Sequence, residues 1–353
     1  MNFEPGDRLR AAANAIAEAA VAHDYERRPI LSERYGERGR ANYLQDMLYD
    51  VAYLACALDV TEPAIFADYV AWLKTVLVHR GVLAGDIAES LQSLVYGLER
   101  HFQDDDSGAA VSCVTQALEQ LPAMPVEVPS FLDGAQPHTV LARTCLEALV
   151  RLDREAAIAA LEQALGAGTS ISDIHLKVLP PLMREVGRLW QLNQISVAHE
   201  HYCSAAIQLI LARFYDRVFS GRRNRPHSIL LTCVEGELHE LGARTVADVF
   251  ELSGWRSHFL GANVPRRELL GLMAARPPDV VGISMTMPFN LNQLASTVSA
   301  VRESSGTSRV PVVVGGYPFA RVPRMAEAVG ADLCVADAAT AVAQAEQLVA
   351  NAG

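Results

Sequence analysis

The sequence predicts an α plus α/β chain in three parts, and three observations carry that expectation. Apolar residues recur at helical spacing through residues 1–120 and again through 138–218. A stretch with Pro122, Pro125, Pro129 and Pro137 and little periodicity, residues 121–137, separates these regions as a linker. From residue 227 the period changes, and short apolar runs alternate with helical stretches, as in a parallel sheet covered by helices.

The elements follow in order. Residues 7–22 alternate charged and alanine-rich positions at helical spacing, and residues 23–40, dense in Arg, Glu, Tyr and Gly, read as irregular. Leu44, Leu48, Val51, Leu54, Ala55 and Leu58 build one apolar face. Thr61-Glu62-Pro63 starts a helix that Phe66, Tyr69, Val70, Leu73, Val76 and Leu77 continue. Gly81 and Gly85 mark the break before a helix over 86–102, and Asp104-Asp105-Asp106-Ser107-Gly108 reads as a solvated turn. Residues 1–120 are thus expected as an all-helical domain. Residues 138–218 are expected as a four-helix bundle with helices at 138–151, 153–166, 171–189 and 196–218. In residues 219–353, apolar runs at 228–234, 256–260, 279–284, 310–314 and 332–335 suit a flavodoxin-like doubly wound parallel sheet. Such sheets bind ligands at the C-terminal ends of their strands.

Composition narrows the function classes. The chain has 353 residues, half of them apolar, enough for two or three cores. No run approaches the roughly 18 apolar residues of a membrane span, and Met-Asn-Phe-Glu-Pro-Gly-Asp lacks the regions of a signal peptide. Cysteines 56, 113, 145, 203, 233 and 334 are scattered without Cys-x-x-Cys spacing, so buried reduced thiols and a cytoplasmic location are expected. A net charge of −11 argues against nucleic acid as a partner. The basic cluster Arg222-Arg223-Asn224-Arg225 reads as a solvated linker. No Ser-His-Asp order and no zinc spacing appears, and the sequence ends soon after the sheet, so the chain is expected not to be an enzyme.

The most informative segment is Glu237-Leu238-His239-Glu240-Leu241-Gly242, directly after the apolar run Ile229–Val234. It places one imidazole on a loop leaving a parallel strand. Such a histidine is either an ordinary loop residue or a ligand for a mid-row transition metal. An acid two residues earlier can take the other ring N–H and fix the tautomer. Gly242 permits close approach of a bulky ligand. Three further strand ends carry signals: Gly261-Ala262-Asn263-Val264-Pro265, where Pro265 can open a helix; Ser284-Met285-Thr286, with two hydroxyls; and Gly315-Gly316. Each alone reads as a turn or a helix cap; the four strand ends together with a histidine form a ligand site.

This pattern resembles the cobalamin-binding domain of the methionine synthase type, with its Asp-x-His-x-x-Gly, Ser-x-Leu and Gly-Gly segments. Here Glu237 stands where Asp is commonest and Thr286 where Leu is common. The resemblance implies that His239 is the lower ligand of cobalt, base-off/His-on. The displaced nucleotide tail would pass Ser284, Thr286, Gly315 and Gly316.

In the bundle, Val178-Leu179-Pro180, Gly187-Arg188-Leu189-Trp190 and, after nine intervening residues, Glu200-His201 resemble the helical cap of light-dependent cobalamin repressors. Read alone, they are a core tryptophan and a surface Glu-His pair. The resemblance implies that Trp190 packs on the upper cobalamin face beside a 5′-deoxyadenosyl group, that Glu200 bonds it, and that His201 lies nearby. It covers residues 138–350. Gln191 stands where the best-known repressors carry a histidine that captures cobalt after photolysis, which leaves the photoproduct ligand open among water, His199 and His201.

No DNA-binding recognition helix is evident in residues 1–120. Tyr49, Tyr53, Phe66, Tyr69, Trp72, His79 and Arg80 form an aromatic set with a basic pair. They read either as helix core or as a tetrapyrrole site, with aromatics against the conjugated system and His79 and Arg80 on propionates. Arg100 and His101 are further propionate candidates. Cys56 is either a structural thiol or a thioether link. The domain order is similar to photocobilins, which pair cobalamin with a bilin such as biliverdin. The chain is therefore expected to sense light through adenosylcobalamin, with biliverdin as a second chromophore. Its output is expected through a light-dependent homo-oligomer and a protein partner. Two alternatives stand beside this: a corrinoid methyl carrier for a methyltransferase system, and a cobalamin-dependent scaffold.

Overall fold

A computed structural model describes residues 3–103, 105–219, 227–304, 306 and 309–352. The basic cluster 222–225 and Asp104 lie outside the described residues. Two compact units form, Met1–Glu127 and Val128–Gly353, and the boundary falls inside the proline-rich stretch.

The first unit is helical: α1 (Glu4–Arg27), α2 (Ile30–Asp59), α3 (Ala64–Val78), α4 (Ala84–His101) and α5 (Ser107–Gln120). Leu9, Ile16, Met47, Leu54, Phe66, Leu91 and Leu94 are fully buried at its centre. At Gly97 a Cβ would lie 2.5 Å from the Ile16 carbonyl oxygen, so α1 and α4 approach as closely as they do only because this position is glycine. Residues 23–40 are not irregular as expected. They finish α1 and start α2, with one interruption at Gly36 (φ 63°). Their polar residues form a network rather than a solvated coil. Arg28 and Tyr43 bond Asp24, while Arg28, Arg34 and Tyr35 all bond Asp86 on α4. The acidic turn is also shorter than expected, because Ser107 and Gly108 already belong to α5.

The second unit begins with α6 (Pro137–Val150), α7 (Arg154–Gly166) and α8 (Ile171–Asp173). The last runs through a π turn, Ile174–Val178, into α9 (Leu179–Gln191). Pro180 and Pro181 supply no N–H to the turn before them, which is where the helical ladder widens. Then come α10 (Val197–Arg213) and α11 (Tyr215–Phe219). Side-chain caps start three of these helices: Asp153 for α7, Ser170 for α8 and Ser196 for α10. Leu146, Leu149, Leu161, Leu182, Ile207 and Ile210 make the bundle core.

The α/β part follows: β1 (Ser228–Cys233), α12 (Leu241–Leu252), β2 (Arg256–Phe259), α13 (Arg266–Ala275), β3 (Val280–Ser284), α14 (Leu291–Glu303), β4 (Val312–Gly315), α15 (Tyr317–Arg321), α16 (Arg324–Val329), β5 (Leu333–Val335) and α17 (Ala338–Ala352). All strand pairs are parallel, in the order β2-β1-β3-β4-β5. The order reverses at β1/β3, the switch point where doubly wound sheets open a crevice. Register places Cys233 opposite Ser284 and Ser284 opposite Gly315, so the strand ends that the sequence singled out align along one edge. Among the described residues, no helix is long and apolar enough to cross a membrane.

The first unit holds a buried acid with consequences for stability. Asp50 is 1% exposed, receives the Tyr69 hydroxyl, and keeps one oxygen without a partner. Burial pushes its carboxyl up to about 7, against about 6 for Asp46 beside it. Between pH 4 and 7 the unfolded chain has released these protons while the folded unit still holds them, so stability falls as pH rises through this window. Urea unfolding should give a lower midpoint at pH 8 than at pH 5, and Asp50→Asn should flatten that difference.

Candidate functional site

Seven residues leave β1 before α12 begins, and they carry the site. Glu237 is the residue around which they fold. It is fully buried, and its Oε1 accepts the His239 ring Nδ1–H at 2.6 Å and the His239 amide at 3.0 Å. Its Oε2 accepts the amides of Thr286 and Met287, both at 2.8 Å, with the Asn290 side-chain nitrogen at 3.5 Å. One carboxylate therefore ties the loop after β1 to the loop after β3. Burial raises its pKa, but the bonds from His239 and from the His239, Met287 and Thr286 amides outweigh that and hold it at about 2.

An ionised carboxylate only accepts, so Nδ1 of His239 carries a proton, and in the neutral ring Nε2 keeps its lone pair. The His239 side chain is 60% exposed, which leaves Nε2 open for coordination. The Glu237 bond raises the His239 pKa, burial opposes it, and the charges of Glu237 and Glu200 raise it further. Glu200 belongs to α10, so the bundle carboxylate and the sheet histidine share one electrostatic environment.

Residues quoted in the strand-end segments but given no role there complete the frame. Glu240 accepts the Gln208 side chain from α10 at 2.6 Å and the Ala262 amide at 3.0 Å, joining bundle, β1 loop and β2 loop. Asn263 accepts the Gly236 amide at 2.8 Å and donates its own amide to the Glu237 carbonyl at 2.9 Å. Glu240 lay inside the quoted motif, but nothing in its spacing marks the partner on α10.

Along the same edge, Ser284 ends β3 and Thr286 follows it, both partly exposed. Gly316 (φ 126°) follows β4, and a Cβ there would lie 2.0 Å from the Met285 carbonyl oxygen; at Gly315 it would meet Val335 at 3.2 Å. Gly242, in the first turn of α12, faces open space with nothing within 4 Å of an added Cβ. On the bundle, Trp190 and Gln191 end α9. Trp190 is partly buried against the bundle core. Glu200 accepts the His201 ring at 2.6 Å and the Ser204 hydroxyl at 2.7 Å, and His201 is 75% exposed. His199 bonds Ser196 at 2.8 Å.

Residues 227–346 match the B12 binding domain family, and residues 141–215 match a second B12 binding domain family. The chain binds cobalamin. Its B12-binding region is 27% identical over 205 residues to the dimethylamine corrinoid protein of Methanosarcina barkeri, covering 58% of this chain and 95% of that one. It is 29% identical over 215 residues to the HTH-type transcriptional repressor CarH of Myxococcus xanthus, covering 60% of this chain and 70% of that one. The structure of the Methanosarcina barkeri monomethylamine corrinoid protein has the same fold, with a TM-score of 0.53 at 19% identity over 60% of this chain and 99% of that one. Neither family model reaches residues 1–140. The donor set fits a corrin: one imidazole whose Nδ1 is tied to Glu237 and whose other ring nitrogen lies on an exposed side chain.

The aromatic set of the first unit is assembled differently from an open pocket. Tyr53 and Tyr69 are buried and stack on each other at 3.9 Å and 14°, and the Trp72 ring, 39% exposed, lies 6.2 Å from Tyr69. His79 Nδ1 donates to the Thr75 carbonyl at 2.9 Å and Arg80 to the Val76 carbonyl at 3.0 Å, so both close the C-terminal turn of α3. Arg100 donates to the Tyr96 hydroxyl at 3.3 Å, and His101 ends α4 exposed. Cys56 is fully buried, and burial pushes its thiol pKa up.

Gly316→Ala tests the loop geometry. Both its positive φ and the Met285 carbonyl forbid a side chain, so the variant should lose about 2 kcal/mol or more in urea unfolding; Gly242→Ala, facing open space, should lose less than about 1 kcal/mol.

Proposed function

We propose that this chain is a light-sensing regulator that binds adenosylcobalamin between bundle and sheet, with the cofactor base-off and His239 as the lower ligand of cobalt. One observation carries the reading. Gln208 on α10 donates to Glu240, next to His239, at 2.6 Å, so the bundle helix that carries Glu200 meets the loop that carries the exposed His239 ring. Glu237 fixes the imidazole and increases the basicity of Nε2. Ser284, Thr286, Gly315 and Gly316 line the edge along which the displaced tail would run. Trp190 offers a flat apolar surface to the upper ligand, and Glu200 accepts from a ribose hydroxyl. Bound adenosylcobalamin supplies a cobalt–carbon bond that light breaks. Trp190 and Glu200 then lose the group they hold, and α9 and α10 settle into a different packing. Surfaces on the bundle consequently pair differently with a second copy or a partner protein, a shift driven by differential contacts. Biliverdin is the proposed second chromophore, at the Tyr53, Tyr69 and Trp72 face of the first unit. Binding there requires the Tyr53–Tyr69 stack to part. The likeness to the repressor CarH supports a regulatory role.

A second reading has its own support. The dimethylamine corrinoid protein is similar over nearly its whole length, which favours a methyl carrier passing a one-carbon group between partner enzymes.

The purified full chain, loaded with adenosylcobalamin in darkness, should change its visible spectrum and its gel-filtration volume on green illumination. An altered spectrum with an unaltered volume removes the quaternary switch. Retention of methylcobalamin with turnover by a methyltransferase, and no light response, selects the carrier.

His239→Ala should bind cobalamin only with the cofactor's own base on cobalt, visible as a changed dark spectrum. Glu237→Gln should weaken cobalamin binding roughly ten- to a hundredfold; wild-type spectra in both variants would remove the lower-ligand assignment. Adding biliverdin should produce red absorbance that Tyr69→Ala abolishes; no red band in the wild type leaves the first unit without a chromophore.

A further inference from the structure

Arg188 lies within the segment that carries Trp190, yet it belongs neither to the cofactor site nor to the exposed surface. Its guanidinium donates to both oxygens of Glu185, at 3.0 Å from Nε and 2.7 Å from one terminal nitrogen. The other terminal nitrogen donates to the Val128 carbonyl at 3.1 Å. Glu185, 3% exposed, also accepts the Ser130 hydroxyl at 3.0 Å and the Phe131 amide at 2.8 Å. Ser130 in turn accepts the Leu132 amide at 3.0 Å, and Leu132 is buried in the bundle core. Residues 128–132 are therefore strapped along α9 by a buried, charged and bidentate arrangement. Val128 is the first residue of the second unit, so this strap holds the point where the chain departs for the helical unit.

The start of α9 is also held. His175, fully buried in the π turn, donates from one ring nitrogen to the Ile171 carbonyl at 2.9 Å and meets Asp248 with the other at 3.3 Å. Asp248 sits on α12, the helix that leaves the His239 loop, and also pairs with Arg244. Thus α9 is linked at one end to the helix behind His239, ends in Trp190, and carries Glu185 and Arg188 between.

We propose that residues 128–132 form a strap that reports the position of α9, so that the group lying against Trp190 is transmitted to the segment leading into the helical unit. This rests on the reading of Trp190 as an upper-face residue. Glu185 and Arg188 precede Trp190 by five and two positions, so any rotation or slide of α9 moves them with it. A bidentate guanidinium–carboxylate pair tolerates little misalignment, and packed elements switch between discrete arrangements rather than deforming smoothly. The strap therefore either follows α9 or comes off it.

The test is hydrogen–deuterium exchange of the full chain in darkness, loaded with adenosylcobalamin or with hydroxocobalamin, whose upper ligand is small. Bound cofactor is confirmed by its visible spectrum in each sample. A peptide covering 128–136 should exchange at least fivefold differently between the two forms, together with 179–191. In Glu185→Gln it should exchange fast in both forms while 137–150 stays protected. Equal exchange of 128–136 in the two loaded wild-type samples overturns the strap, as does persistence of the difference in Glu185→Gln. If neither cobalamin binds, the reading of the site fails and the strap's role fails with it. If both bind and only the strap is indifferent, the site stands and the strap alone is lost.

Discussion

The buried carboxylate of Glu237 is the constraint on which the site depends. A fully buried charge is costly unless it is saturated with donors, and here the donors come from two strand ends at once. The ring and amide of His239, and the amides of Thr286 and Met287, are held because this carboxylate needs them. The imidazole is consequently fixed before any ligand arrives. A freely rotating histidine would lose entropy on coordination and could present either nitrogen. The Glu237 side chain is long enough to reach from the loop after β1 to the Thr286 and Met287 amides after β3.

Bundle and α/β part are joined by polar contacts whose partners lie far apart in sequence. Gln208 to Glu240 and His175 to Asp248 both connect a bundle element to the segment around His239. Leu241, beside His239 in the chain, packs on the bundle core, and Leu176 from the π turn packs on the sheet core. The two cores thus interleave at the join between bundle and sheet.

Much of this was legible in the chain. The alternation of apolar runs with helical stretches gave five strands within a residue or two of their places, because buried parallel strands are continuous apolar runs. Glu237 and His239 were legible because their chemistry is local, two residues apart on one loop. Residues 23–40 were misread because their charges look solvated in a list, whereas Asp24 and Asp86 organise them into contacts across three helices. The pairings of Glu240, Asn263, Asn290 and Gln208 went unseen because each works through a partner at least 22 residues away, and spacing along a chain carries no sign of such pairing.

The same long-range contacts bear on which function suits this chain. A methyl carrier must uncover its cobalt to the active site of a partner, so its cap has to swing clear. Here that motion would break His175–Asp248 and Gln208–Glu240. Breaking the buried His175–Asp248 contact costs about 1–3 kcal/mol, while the exposed Gln208–Glu240 bond costs less, so both bias the cap toward its closed arrangement. A sensor needs only a shift of α9 large enough to misalign Glu185 and Arg188 from the strap. His175 lies in the π turn just before α9 and Gln208 on α10, so neither contact involves Glu185, Arg188 or Trp190. A cap joined to the α/β part at these two points, with a strap along α9, is the arrangement the proposed regulator would use.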